Sequence, residues 1–127
     1  MKMLKSTLAI VTAATVLGVS GFAQAGATLD AVQKKGFVQC GVSDGLPGFS
    51  VPDSTGKIVG IDADYCRAVA AAVFGVSYKE ARAQELVEFT DVTPKTRGPL
   101  IDNGQLDVVA ATYTITDERK KSWDFST

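Results

Sequence analysis

The sequence predicts an α/β fold in which helices flank a parallel-type sheet. Three observations carry that prediction. Short β-branched or aromatic runs alternate with helix-patterned segments between residues 37 and 111. The alanine-rich stretch Asp62 to Phe74 repeats apolar residues at positions 66, 69, 70 and 73, the spacing of one helix face. Val108-Val109-Ala110-Ala111 is apolar throughout, as expected of a strand buried on both faces of a parallel sheet.

Each element follows from local chemistry. Thr28-Leu29-Asp30 opens a short helix that Gly36 stops, with Lys34 and Lys35 in its last turn, where positive charge suits the free carbonyls. Phe37 to Val42 reads as a strand, and Asp44-Gly45-Leu46-Pro47-Gly48 as the loop after it. Phe49-Ser50-Val51 and Lys57-Ile58-Val59 flank a turn over residues 52–56 and read as a small hairpin. Asp62 is the expected N-cap of the helix ending at Gly75, and Asp62 and Asp64, two residues apart, do not share a helix face. Leu86 to Phe89 alternates as a strand. Thr93-Pro94 then reads as a cap and first helical residue of a segment running to Asn103-Gly104. Pro99 lies inside that segment, so the helix either starts late or kinks. Leu106 to Ala111 is the third strand, Thr116 to Lys121 a last helical turn, and Trp123-Asp124-Phe125 an extended return.

The front of the chain has the order of a targeting segment. Lys2 and Lys5 precede an uncharged run from Ser6 to Leu29, apolar from Leu8 to about Val19, and Ala23-Gln24-Ala25 offers the small-x-small pattern of a cleavage site. Residues 1–25 are therefore expected to be a signal peptide cut after Ala25. A membrane anchor is the rival, but Thr, Ser, Gly and Gln dilute the second half of the run. Cleavage leaves residues 26–127 as one mildly acidic exported domain with 11 basic and 14 acidic residues. In an oxidising compartment its two cysteines, Cys40 and Cys66, are either disulfide-bonded or two buried free thiols.

Composition removes several function classes. With no histidine among 127 residues there is no Ser/His/Asp or Cys/His nucleophile pair and no histidine metal ligand, and no metal or cofactor motif is recognisable. Basic and acidic residues nearly balance, 13 against 14, and the basic ones form no stripe for a phosphate backbone, so nucleic acid is not an expected partner.

Ligands of an open α/β sheet gather at the carboxyl ends of its strands. The loops leaving those ends run from Ser43 to Phe49, Thr90 to Arg97 and Thr112 to Arg119. They bring Ser43, Asp44, Arg97, Thr112, Thr114 and Arg119 toward one edge, with Leu46, Phe49 and Tyr113 as walls. Two arginines and several hydroxyls suit an anion, a carboxylate above all, because guanidinium presents parallel N–H groups to two oxygens. The alternative is that Arg97 and Arg119 are surface residues paired with nearby acids.

Three stretches carry a family resemblance: Gly60-Ile61-Asp62-Ala63-Asp64-Tyr65, Asn103-Gly104-Gln105-Leu106-Asp107-Val108, and residues 110–126 with Ile115-Thr116-Asp117-Glu118-Arg119 and Asp124-Phe125-Ser126. In this order the chain resembles the periplasmic polar amino-acid-binding proteins of ABC importers, solute-binding protein family 3. The resemblance implies the first lobe of a two-lobed type II periplasmic-binding fold, with the chain stopping at Thr127 before the second lobe. It also implies a non-enzymatic periplasmic receptor, monomeric when full length, that hands an amino acid to a membrane permease. By the same likeness Arg119 clamps the ligand α-carboxylate, Thr114 supports that group, Thr112 meets the α-ammonium, Arg97 meets a side-chain carboxylate and Phe49 walls the cleft. Arg97 points to glutamate or aspartate. Ser43 stands where some acidic binders place another cation, which keeps glutamine or a broader range open. Two other classes remain: an enzyme on the same fold, a dehydratase or lytic transglycosylase with Asp44 as its loop acid, and a truncated module that docks without ligand.

Overall fold

The structure is a computed structural model of the chain and describes residues 23–126. Nearly all of the expected signal peptide lies outside the described residues. Nine elements follow in order: α1 (Ala23–Lys35), β1 (Val38–Ser43), β2 (Val51–Pro52), β3 (Ile58–Val59), α2 (Ile61–Phe74), α3 (Tyr78–Ala83), β4 (Val87–Val92), α4 (Arg97–Asp102) and β5 (Val108–Ala110). A 3-10 turn covers Arg119–Lys121.

Three strands form a parallel sheet in the order β4-β1-β5, with Ser43 beside Val92 and Val42 beside Ala110. Because all three run the same way, the loops after β1, β4 and β5 leave from one edge. The second sheet is the antiparallel pair β2 and β3. Its turn is closed by Asp53, whose Oδ1 accepts from the Thr55 main chain and hydroxyl and from the Lys57 main chain. Those bonds, the Thr55 hydroxyl first, hold the Asp53 carboxyl below its ordinary value.

The core forms because β1 is central. Val38, Cys40 and Val42 point to one face and pack with Val32 of α1, Cys66 and Ala70 of α2, and Val87 of β4. Cys40 and Cys66 are joined by a disulfide with their Cα atoms 6.2 Å apart, so the thiol alternative does not hold. On the opposite face a Cβ at Gly41 would meet Leu106, Val92 and Val109 at 2.8 to 3.1 Å. Glycine lets the second core cluster, Val92, Leu106 and Ala111, close over the sheet.

Several local expectations are corrected. The first helix begins at Ala23, not Thr28, and so crosses the expected cleavage point. Gly60, not Asp62, is the N-cap of α2. The carbonyls of Gly48 and Phe49 accept from the main-chain N–H groups of Ile61 and Asp62, so no side-chain cap is required there. Pro94 is not the first helical residue. Thr93 and Thr96 bond each other through main chain and hydroxyl, forming a turn that delays α4 to Arg97. Pro99 then falls in the first helical turn, where its missing N–H has no partner to lose, and no kink is needed. The third strand shrinks to Val108–Ala110 and stands half-buried at the sheet edge; the strand buried on both faces is β1. Only Arg119–Lys121 of the last helical segment is helical, and residues 123–126 adopt no strand. Helix α3 was not anticipated, although its capping box is visible as Ser77-x-x-Glu80: Glu80 Oε2 accepts from the Ser77 main chain at 2.9 Å, and Ser77 Oγ from the Glu80 main chain at 3.2 Å.

Candidate functional site

The parallel register delivers Ser43 at the end of β1, Thr93 after β4 and Thr112 after β5 to one rim. There Ser43, Asp44, Leu46, Thr93, Pro94, Arg97 and Thr112 line a hollow of about 270 Å3. Ser43 is pinned on both sides. Its carbonyl accepts from the Ser50 hydroxyl, and its own hydroxyl donates to Asp62 Oδ2 at 3.3 Å. A hydroxyl whose proton is engaged by a carboxylate offers lone pairs to a ligand, which suits an ammonium or amide N–H.

The two arginines meet at one ring. Arg97, the first residue of α4, is only 8% exposed, and its guanidinium carbon lies 3.8 Å from the centre of the Tyr113 ring. Arg119, from the 3-10 turn, places its guanidinium carbon 4.6 Å from the same centre. One N–H of Arg97 donates to the Ala111 carbonyl at 2.8 Å and one of Arg119 to the Thr114 carbonyl at 2.7 Å, so the two bonds bracket Tyr113 along the chain. Thr112 between them has φ of 46°, a left-handed conformation that a β-branched residue rarely adopts. The kink turns the chain out of β5.

Neither arginine has a carboxylate partner among the described residues, where every ion pair involves other groups. The surface-pair alternative therefore fails for both. Buried Arg97 Nε has no hydrogen-bond acceptor among the described residues. Two guanidinium charges tied to one ring repel by about 2 kcal/mol or more at an effective dielectric of ~20. The face of the ring offsets about 0.5–1 kcal/mol for each. The ring thus offsets much of the repulsion, and the two positive charges, with no carboxylate beside them among the described residues, attract an incoming anion.

Of the other residues singled out in the sequence, Thr114 contributes its carbonyl to Arg119 and is exposed. Phe49 is 38% exposed on the loop that caps α2 and does not line the hollow. Asp44 lines the rim but is exposed. Asp64 pairs with Arg67 at 3.2 Å and accepts from the Tyr78 hydroxyl at 2.6 Å, away from Asp62, as their spacing requires. Among the described residues no group of three or more metal-ligating side chains occurs, and no helix is long and apolar enough to cross a membrane.

Two residues have larger parts than the sequence suggested. Tyr113 was a wall and is the shared contact of both cations. Asp62 was a cap and is a carboxylate only 8% exposed behind Ser43. Burial outweighs the Ser43 bonds and pushes its carboxyl above the ordinary value of 3.8. The folded state thus disfavours the charged form. The resulting cost is absent below pH 3.8, grows between there and the raised folded value, and is complete above it. Asp62→Asn is accordingly expected to raise the urea midpoint at pH 7 and to leave it nearly unchanged at pH 3; equal shifts at both pH values would show that the charge is not the cause.

The model of the bacterial extracellular solute-binding proteins, family 3, matches residues 38–127. YhdW of Escherichia coli strain K12, named as an amino-acid ABC transporter-binding protein, is 52% identical over 118 residues, covering 93% of this chain and 32% of that protein. The general L-amino acid-binding periplasmic protein AapJ of Rhizobium johnstonii is 41% identical over 113 residues, covering 89% and 31%. The chain spans about a third of the length of these relatives. Among solved structures, a point mutant of the arginine-bound form of domain 1 from TmArgBP, of T. maritima, superposes with a TM-score of 0.56 at 30% identity, over 73% of this chain and 64% of that one. The α/β architecture is that of a lobe of a type II periplasmic binding protein. On the matched residues, the chain belongs to the bacterial extracellular solute-binding proteins, family 3.

Proposed function

We propose that this chain supplies one wall of the ligand site of a periplasmic receptor that binds an acidic or polar amino acid, glutamate, aspartate or glutamine, and delivers it to an ABC-importer permease. The observation that carries this reading is the pair Arg97 and Arg119, held at one ring at the carboxyl rim of the sheet with no carboxylate of their own among the described residues. Arg119 takes the ligand α-carboxylate with support from Thr114, and Thr112 meets the α-ammonium. Arg97 faces the side chain, with Ser43 as the acceptor that lets an amide compete with a carboxylate. Phe49 stands outside the hollow on the loop that caps α2, and its part as an aromatic wall rests on the family likeness alone. Residues 1–25 act as a cleaved export signal.

The relatives named for amino-acid transport support this reading, and the arginine-bound domain 1 of TmArgBP supports binding by a single lobe. A single wall leaves the ligand half-solvated, so affinity near ~1 mM, about −4 kcal/mol, is expected. The test titrates the exported chain with glutamate, aspartate, glutamine and alanine by calorimetry or NMR. Saturable binding of at least one of the first three, weakened about 10- to 100-fold by Arg119→Ala through loss of a charge-assisted pair, is the expected result. Saturation by none of them, or an Arg119→Ala variant that binds like the parent, would overturn it.

A further inference from the structure

We infer that Tyr113 is the positioning residue of the amino-acid site, the single group that sets where both guanidiniums stand before a ligand arrives. This rests on the ligand reading above but adds to it, since Tyr113 itself need not touch the ligand.

Three features lead to Tyr113. Both guanidinium carbons lie over its ring, at 3.8 and 4.6 Å from the centre. The carbonyls of Ala111 and Thr114, on either side of it, each take one N–H from one of the same two arginines. The ring is itself clamped: Trp123 lies 5.6 Å away in a tilted contact and Phe125 5.8 Å away edge-on. Trp123 is anchored in turn, its Nε1 donating to Asp102 Oδ1 at 2.7 Å, and its ring edge fits over Gly98, where a Cβ would stand 3.0 Å away. Helix α4 thus fixes Trp123, Trp123 and Phe125 fix Tyr113, and Tyr113 fixes two cations that come from separate segments of the chain.

Long flexible arginines left to solvent would have to be ordered by the ligand at the moment of binding. Here stacking and one carbonyl bond have already removed much of that freedom, and other N–H groups of each fork remain for a carboxylate. The phenol hydroxyl is not part of the device. A bare ring has the same attractive face, whereas an aliphatic side chain of similar bulk has none.

The experiment compares the exported chain with Tyr113→Phe and Tyr113→Leu by two readouts: the NMR positions of the arginine Nε–H protons, and the affinity for L-glutamate. In the parent chain the Nε–H protons of Arg97 and Arg119 are expected upfield of those of Arg82, because they sit over an aromatic face. Tyr113→Phe should keep both displaced and hold glutamate affinity within about twofold. Tyr113→Leu should return both toward the ordinary position and weaken glutamate about tenfold, with the main-chain amide spectrum of β1 and α2 unchanged.

Undisplaced Arg97 and Arg119 protons in the parent chain would overturn the inference without any variant, whether or not Tyr113→Leu folds. So would a Tyr113→Leu chain that binds glutamate as the parent does, or a Tyr113→Phe chain that loses affinity as Tyr113→Leu does. If the parent shows displaced protons but binds none of glutamate, aspartate and glutamine, the ligand reading has failed, and the role of Tyr113 in it with it.

Discussion

Gly60→Ala is expected to be the most damaging single substitution outside the carboxyl rim of the sheet, lowering stability by about 3 kcal/mol or more. A Cβ at this position would lie 2.3 Å from the Phe49 carbonyl oxygen and 2.5 Å from its carbon, both main-chain atoms that no rotamer change can move. The φ of 123° adds a conformational cost that only glycine escapes. The damage spreads because the Gly48 and Phe49 carbonyls cap the first turn of α2. Displacing them frees those N–H groups and shifts the loop carrying Phe49. Gly56→Ala is the control: its φ is 83°, but nothing lies within 4 Å of its Cβ position, so only the conformational cost of about 1 kcal/mol applies. Urea midpoints of the two variants check this. Equal losses would mean that the clash at Gly60 relaxes freely.

Removing the Cys40–Cys66 disulfide is the second large effect. The cross-link closes a loop with a sequence separation of 26, for which loop entropy in the unfolded chain gives about 3.5 kcal/mol. Both cysteines are fully buried, Cys40 on the central strand and Cys66 on α2, so the bond ties the sheet to its main helix inside the core. A Cys40→Ala/Cys66→Ala chain should unfold at a markedly lower urea concentration and be indifferent to reductant. The parent should fall toward the same midpoint once reduced. A parent midpoint that ignores reductant under conditions that reduce the bond would show that the cross-link contributes nothing.

How far the fold could be read from residues differs from element to element. The helix over Ile61–Phe74 and the central strand Val38–Ser43 carry strong local patterns and lie within a residue of where they were expected. Helix α3 carried an equally local signal in Ser77 and Glu80. The misplaced features, the cap at Asp62 and the helix start at Pro94, are where local preference met a competing partner. In one case it is the carbonyl of a residue 13 positions away, in the other a reciprocal threonine turn.

The same division runs through the site. The residue types at the rim, two arginines and several hydroxyls, could be inferred from parallel-strand order, because strand direction dictates which loops share an edge. What the guanidiniums rest on could not. Arg97, Tyr113 and Arg119 are separated by sixteen and six positions, and no helical or strand period makes them neighbours. By itself, then, the sequence determined the α/β class, the strand-helix order and the charge character of the rim, all consequences of short-range pattern. Only tertiary structure decided that β1 rather than β5 is the buried strand, that Cys40 meets Cys66, and that two like charges share one aromatic ring. Each of these depends on how distant segments compete for the same space, and that competition is settled when the core closes.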